Sequence, residues 1–129
     1  FSLTPNGSPG VQHRGELLFT FGVRAGIISL ERMVETLSYA PSRLFGMEDR
    51  GQIAAGMAAD VVLWDPEAAL CMTDTNSAHN CDNSPYAGFT VRGRARDVFV
   101  NGARAVENFA LKQTGAGKFM HRKGCIHTR

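Results

Sequence analysis

Cysteine is scarce in this chain, with three in 129 residues, and Cys71, Cys81 and Cys125 form no C-x-x-C pair. An odd, irregular set of this kind implies neither a disulfide framework nor a zinc knuckle, and reduced thiols are expected. Long apolar runs are also missing. Runs such as Val61-Val62-Leu63-Trp64 stop far short of the roughly 20 residues that span a bilayer, so no membrane segment is expected. No basic stretch followed by an apolar core and a small-residue cleavage site opens the sequence, and a cytoplasmic location is the default expectation. Internal repeats and low-complexity tracts are absent as well.

The signatures of hydrolytic chemistry are equally thin. His13, His79, His121 and His127 fall in predicted loops or tail, with no His-x-His and no His-Glu-x-x-His among them. His79 and Cys81 could share an ion, but a zinc site needs at least one further ligand and a supporting shell. No Gly-x-Ser-x-Gly occurs, which removes the nucleophile elbow. Gly115-x-Gly117-Lys118 is only a fragment of a phosphate-binding loop, without the full spacing or the hydroxyl residue after the lysine. On residues alone, no catalytic and no metal-binding residue is assigned.

Charge is present but unevenly placed. Residues 1 to 91 hold five Lys/Arg and ten Asp/Glu, a net of −5, whereas residues 92 to 129 hold nine and two, a net of +7. A basic end raises nucleic-acid binding as a possibility. Solvent-facing strand arginines (Arg92, Arg94, Arg96, Arg104) explain the same numbers, and no aromatic-interleaved RNA signature accompanies them. Nucleic acid is not the expected partner.

The order of elements reads as loop, helices, then strands. Pro5, Gly7, Pro9, Gly10 and Gly15 keep residues 1 to 15 irregular, and Asn6-Gly7 can turn main-chain groups outward at low steric cost. An ordinary surface turn is the plainer account of that tetrapeptide. A first helix is expected over Glu16 to Ala25, with Leu17, Leu18 and Phe21 toward one side and Gly26 ending it. Ser29 sits where an N-cap is wanted, and Leu30, Met33, Val34 and Leu37 follow at helical spacing. Pro41 begins a short third helix that Gly46 stops.

From Gly51 the pattern turns extended. A brief strand is expected at Gln52 to Ala54, and a strand at Asp60 to Trp64, apolar at nearly every position and so expected to be covered on both faces, closed by Asp65-Pro66. Residues 67 to 88 form a long polar connection. Asp97 to Val100 and Ala103 to Glu107 flank Asn101-Gly102, the residue pair best suited to a tight hairpin turn, with Phe89 to Arg92 pairing alongside. From Gln113 the chain becomes a Gly-, Lys- and Arg-rich arm.

Taken together, "PNGSPGVQHR" (5 to 14), "ISLERMVETLSYAPSRLFGM" (28 to 47), "GQIAAGMAADVVLWDP" (51 to 66), "SPYAGFTVRG" (84 to 93) and "GAGKFMHR" (115 to 122) resemble the C-terminal part of the hydantoinase and dihydropyrimidinase family of cyclic amidohydrolases. The stretch ending in Trp64-Asp65-Pro66 is shared with wider relatives, and its combination with Pro5-Asn6-Gly7 and Pro85-Tyr86-x-Gly88 narrows the choice. The resemblance implies an α+β segment: the last loop and closing helices of a (β/α)8 barrel (residues 1–50), the C-terminal strands of a β-sandwich domain (51–112) and a basic tail (113–129).

It further implies ring opening of hydantoins or dihydropyrimidines by an enzyme that uses two divalent metal ions, typically zinc. The family ligands (a His-x-His pair, a carboxylated lysine, two more histidines and an aspartate) have no counterpart in this chain. One role carries over by position. Asn6 matches the asparagine whose backbone contacts the cyclic amide ring.

The sequence departs from the family pattern at Gln12 (commonly Glu), Gly15-Glu16 (Leu-Pro), Phe21 (Glu) and Ala40 (Asn), the last expected to remove a helix cap worth about 1 kcal/mol. Two functions follow as expectations. The first is a portion of a cyclic amide hydrolase, inactive by itself. The second is a stand-alone noncatalytic module for assembly or binding, as in a non-enzymatic branch among the family's relatives. The expected partner is either a second copy, giving a homo-oligomer, or a companion chain supplying the rest of the barrel.

Overall fold

The computed structural model describes residues 10–75, 78–79, 84–112 and 115–120. Helix α1 (Arg14–Leu18) runs directly into a π-helical turn, Phe19–Val23. Gly26, at φ 73°, closes it by donating to the Val23 carbonyl at 3.0 Å. The helix therefore begins and ends about two residues before the expected span, but it ends by the expected means: a glycine that enters the left-handed region without steric cost.

A second continuous helical rod is built from α2 (Leu30–Val34), a π turn (Glu35–Tyr39) and α3 (Ala40–Leu44). Ser29 caps it as expected, its hydroxyl accepting from the Arg32 N–H at 3.1 Å. Ala40 corrects the sequence reading. The residue before it, Tyr39, is already helical (φ −68°, ψ −50°), so no helix starts there and no cap is missing.

Four antiparallel strands follow in the order β1 (Val61–Cys71), β2 (Thr90–Val100), β3 (Ala103–Glu107) and β4 (Ala110–Leu111). The hairpin at Asn101-Gly102 forms as read, with both residues at positive φ (48° and 82°). Three expectations fail. Phe89 to Arg92 does not pair alongside the hairpin, because from Thr90 it is the first part of β2 itself, opposite Ala69–Cys71 of β1. Residues 52 to 54 make no strand, and β1 does not stop at Asp65-Pro66 but continues to Cys71. Proline is admitted because the pairing with β2 jumps from Asp65↔Arg94 to Ala69↔Arg92, so Pro66 lies in a bulge on an edge strand where no ladder N–H is needed. Within the bulge, Asp65 Oδ1 accepts from the N–H groups of Glu67 (3.0 Å) and Ala68 (3.2 Å).

Helix and sheet meet across Phe19 and Trp64. Phe19 and Trp64 rings lie 5.6 Å apart, Phe19 is 6% exposed, and Val91 is fully buried. The π turn delivers Thr20 to β2, where its hydroxyl donates to the Arg92 carbonyl and accepts from the Arg92 N–H, both at 2.9 Å. A side chain thus satisfies main-chain groups that a neighbouring strand would otherwise take. Arg24 reaches Glu67 at 3.2 Å on the same seam, an exposed pair that adds little.

The expected apolar faces are only partly covered. Met33 is buried, but Leu30 and Val34 are half exposed, as are Val62 and Leu63 on β1 and Phe21 on the first helix. Phe19, which the sequence reading did not single out, takes the inward position expected of Phe21.

Asp97 is a buried carboxylate on β2. Arg96 Nε donates to it at 2.8 Å and the Asn108 N–H at 3.4 Å. The Arg96 hydrogen bond, the largest cause, holds its carboxyl below the ordinary 3.8, with the Asn108 N–H and the Arg96 and Arg104 charges acting the same way against burial. A depressed folded-state value stabilises the fold above the unfolded carboxylate range and is lost as pH falls through the depressed value. Urea midpoints at neutral and acid pH are therefore expected to fall less in Asp97→Asn than in the native chain. Equal falls would remove Asp97 as a source of the acid sensitivity.

Candidate functional site

The segment Gly10–His13 leads directly into α1. Asn6 itself, together with Pro5 and Gly7, lies outside the described residues. His13 immediately precedes the helix with φ −100° and ψ 3°, and its side chain makes no capping bond. The imidazole is instead fully buried, edge-on to the Tyr86 ring at 6.3 Å, and neither ring nitrogen has a hydrogen-bond partner among the described residues. A polar ring sealed in this way costs on the order of 1–3 kcal/mol.

Tyr86 is held by a short-range frame. Ser84 is buried, its N–H donating to Asp74 Oδ1 at 2.8 Å while its hydroxyl accepts from the Tyr86 N–H at 3.3 Å. The Phe89 N–H donates to the Tyr86 carbonyl at 3.0 Å, and the main chain of Met72 exchanges bonds with Gly88 (2.8 Å) and Phe89 (2.9 Å). Rings continue outward from Tyr86 to Phe89 at 6.1 Å and from Phe89 to Phe21 at 5.9 Å.

Tyr86 and Ala78 therefore close on Gly10–His13. A Cβ at Gly10 would lie 3.1 Å from the Tyr86 hydroxyl, and Gln12 Oε1 accepts from the Ala78 N–H at 2.7 Å. The structure brings together two motifs the sequence singled out separately, Pro85-Tyr86-x-Gly88 and the segment after Pro5-Asn6-Gly7. It also shows what sequence reasoning missed. Nothing in the order of residues marked His13 as the more buried of the two histidines among the described residues.

A second polar cluster lies at the far end of the sheet. Arg50 pairs with Asp60 and donates to Asn101 Oδ1 at 3.2 Å. The Asn101 N–H donates to Asp60 Oδ1 at 2.7 Å, and Asn101 Nδ2 to the Ala116 carbonyl at 2.8 Å. Beside it, Met47, Asp49, Met57, Lys118 and Phe119 help line a cleft of about 660 Å³. This larger opening is distinct from the Tyr86 clamp, and Arg50 within it already serves Asp60 and Asn101. A second groove, of about 590 Å³, is lined in part by Tyr39, Pro41, Leu44 and Phe45.

Among the described residues, no three His, Cys, Asp or Glu side chains gather as a metal-ion site. Cys81, His121 and His127 lie outside them. No helix among the described residues is long and apolar enough to cross a membrane.

Comparison with known proteins gives these features a setting. Residues 12–105 match the Amidohydrolase family. D-phenylhydantoinase of Escherichia coli O1:K1 is 41% identical over 95% of this chain, which spans 27% of that protein. Among solved structures, D-hydantoinase from Bacillus sp. AR9 superposes with a TM-score of 0.89 at 34% identity, over 95% of this chain and 27% of its own. Dihydropyrimidinase from Brevibacillus agri NCHU1002 gives 0.80 at 38% identity, over 83% and 23%. The chain thus spans about a quarter of the length of the relatives it matches. Family match, relatives and fold agree: the chain belongs to the Amidohydrolase family, as a hydantoinase-like segment.

Proposed function

We propose that the chain is the C-terminal portion of a metal-dependent hydrolase that opens cyclic amides of the hydantoin or dihydropyrimidine kind. The observation that carries this reading is the alignment of 95% of the chain, at 41% identity, onto 27% of a D-phenylhydantoinase. In it, residues 1–50 are the end of the barrel domain, 51–112 the C-terminal part of the β-sandwich, and 113–129 a basic tail. Asn6 presents its main chain to the ring of the substrate. The clamp of Tyr86 and Gln12 on Gly10–His13 supports that role, because a loop that must hold a ring in one orientation needs a fixed root.

The described residues do not fit a two-metal centre, since no three candidate ligands converge. In this reading the ions and the reaction step belong to ligands outside this chain, and its own contribution is binding and support. Purified alone, the chain is expected to bind no stoichiometric divalent metal and to turn over neither dihydrouracil nor hydantoin above background. Metal-dependent turnover by the isolated chain would overturn the proposal.

One observation favours a second reading, a noncatalytic assembly module. Among the described residues only Phe19, Met33, Met72 and Val91 are buried apolar side chains, against fourteen large apolar residues that are exposed. Soluble monomers seldom leave so much apolar surface in water. This reading expects self-association, and a dilute, stable monomer in sedimentation equilibrium would contradict it.

A further inference from the structure

We infer that the cleft lined by Met47, Met57 and Met120 is a binding site for a soft monovalent cation of the Cu(I) class, held by thioether sulfurs. The inference goes beyond the hydrolase reading and uses no residue placed near the cyclic amide.

Three observations carry it. Of the five methionines in the chain, three line this one cleft of about 660 Å³. They lie far apart in sequence, so only the fold assembles them. The other two, Met33 and Met72, are core residues at 5% and 0% exposure, whereas Met47, Met57 and Met120 are half-buried and within reach of a solute.

Next, the three segments that bring them are tied down. The Met47 N–H donates to the Ser42 carbonyl at 2.8 Å, and the Met57 N–H to the Ala54 carbonyl at 3.2 Å. The Ala58 N–H joins the first two segments through the Asp49 carbonyl at 2.9 Å, and Asn101 Nδ2 holds the third through the Ala116 carbonyl at 2.8 Å. A flexible, polarisable side chain on a fixed root can adjust its sulfur to an ion without moving the backbone.

Last, the charged residues of the lining balance. Glu48 and Asp49 stand against Arg50 and Lys118, and Arg50 is already engaged by Asp60 and Asn101. Such a lining offers no net charge to gather a hard divalent cation or an anion. Neutral sulfur donors select by softness instead: thioethers take Cu(I), and zinc goes to thiolate, imidazole and carboxylate.

The test uses the full chain with Cys71, Cys81 and Cys125 replaced by serine, because thiolates would compete for any soft ion. Silver nitrate in halide-free buffer is the probe, since Ag(I) shares the charge and softness of Cu(I) and needs no reductant. Calorimetric titration should show one tight site per chain. In a chain carrying carbon-13 at the methionine methyl groups, the signals of Met47, Met57 and Met120 should move while those of Met33 and Met72 stay. Met47→Leu, Met57→Leu and Met120→Leu should each weaken binding roughly tenfold or more, since leucine keeps the volume and removes the donor. Met33→Leu should leave the affinity unchanged, and zinc sulfate should neither shift the three signals nor displace silver.

The inference is overturned if silver does not bind, if binding survives the leucine substitutions in the cleft, or if the signals that move are those of Met33 and Met72. Equal affinity for zinc overturns it as well, because thioether sulfur would not then be the selecting donor. Hydantoin turnover, present or absent, bears on the hydrolase reading alone.

Discussion

Gly93→Ala is expected to destabilise the chain by about 4 kcal/mol, combining overpacking of the helix–sheet seam with backbone strain. Gly93 lies in β2 at φ +80°, opposite the bulge that contains Pro66. A Cβ there would lie 2.3 Å from Phe19 Cδ1 and 2.7 Å from Trp64 Nε1. Neither ring can retreat cheaply, because each packs against the other at 5.6 Å. Trp64 is the single tryptophan of the chain, so its fluorescence reports on the seam directly. A large drop in urea midpoint and a red-shifted native emission are expected. An unchanged midpoint would mean that Phe19 and Trp64 do not close over this position.

Gly51→Ala is the second large effect, about 3 kcal/mol, for a related reason in a different place. Gly51 has φ +91°, and an added Cβ would stand 2.2 Å from Ser42 Oγ, 2.7 Å from Ser42 Cβ and 2.9 Å from the Ser38 carbonyl oxygen. The Ser42 hydroxyl can rotate away, at the cost of its bond to the Tyr39 carbonyl at 2.7 Å. Ser42 Cβ and the Ser38 main chain cannot. Thermal unfolding followed by far-UV circular dichroism should show the loss, and adding Ser42→Gly should restore part of it. Full restoration would leave no share for the strained backbone, and no loss at all would mean that the loop does not pass this close to the helix.

These two glycines also mark the limit of what the sequence revealed. Local chemistry was legible where one residue type has one structural use. Ser29 capped its helix, Gly26 ended another, and Asn101-Gly102 turned the hairpin. The α+β order and the family resemblance were legible for the same reason, since short motifs kept their spacing.

Long-range consequences were not. Pro66 read as a strand terminator because proline lacks a donor, yet at a bulge on an edge strand that lack is harmless. The π turns left no trace in the helical spacing. One of them sets Thr20 against Arg92, a match that depends on the position of a strand about seventy residues away. The burial of Phe19 instead of Phe21, and of His13, depends on Trp64 and Tyr86, which come to lie against them from distant parts of the chain. Expected cover over Leu30, Val34, Val62 and Leu63 failed for another reason. Periodicity tells which side of an element is apolar, but not whether the covering surface belongs to the same segment.

The Asn101-Gly102 corner has a consequence for chemical ageing. Asparagine followed by glycine is the pair most prone to cyclise, because the glycine nitrogen can attack the side-chain amide carbon and expel ammonia. Here that nitrogen donates to the Ala59 carbonyl at 2.9 Å, while the amide oxygen accepts from Arg50 and the amide nitrogen donates to Ala116. Nucleophile and leaving group are both tied in place, so the folded hairpin shields its own weakest bond, and succinimide formation should track the rate at which the hairpin opens.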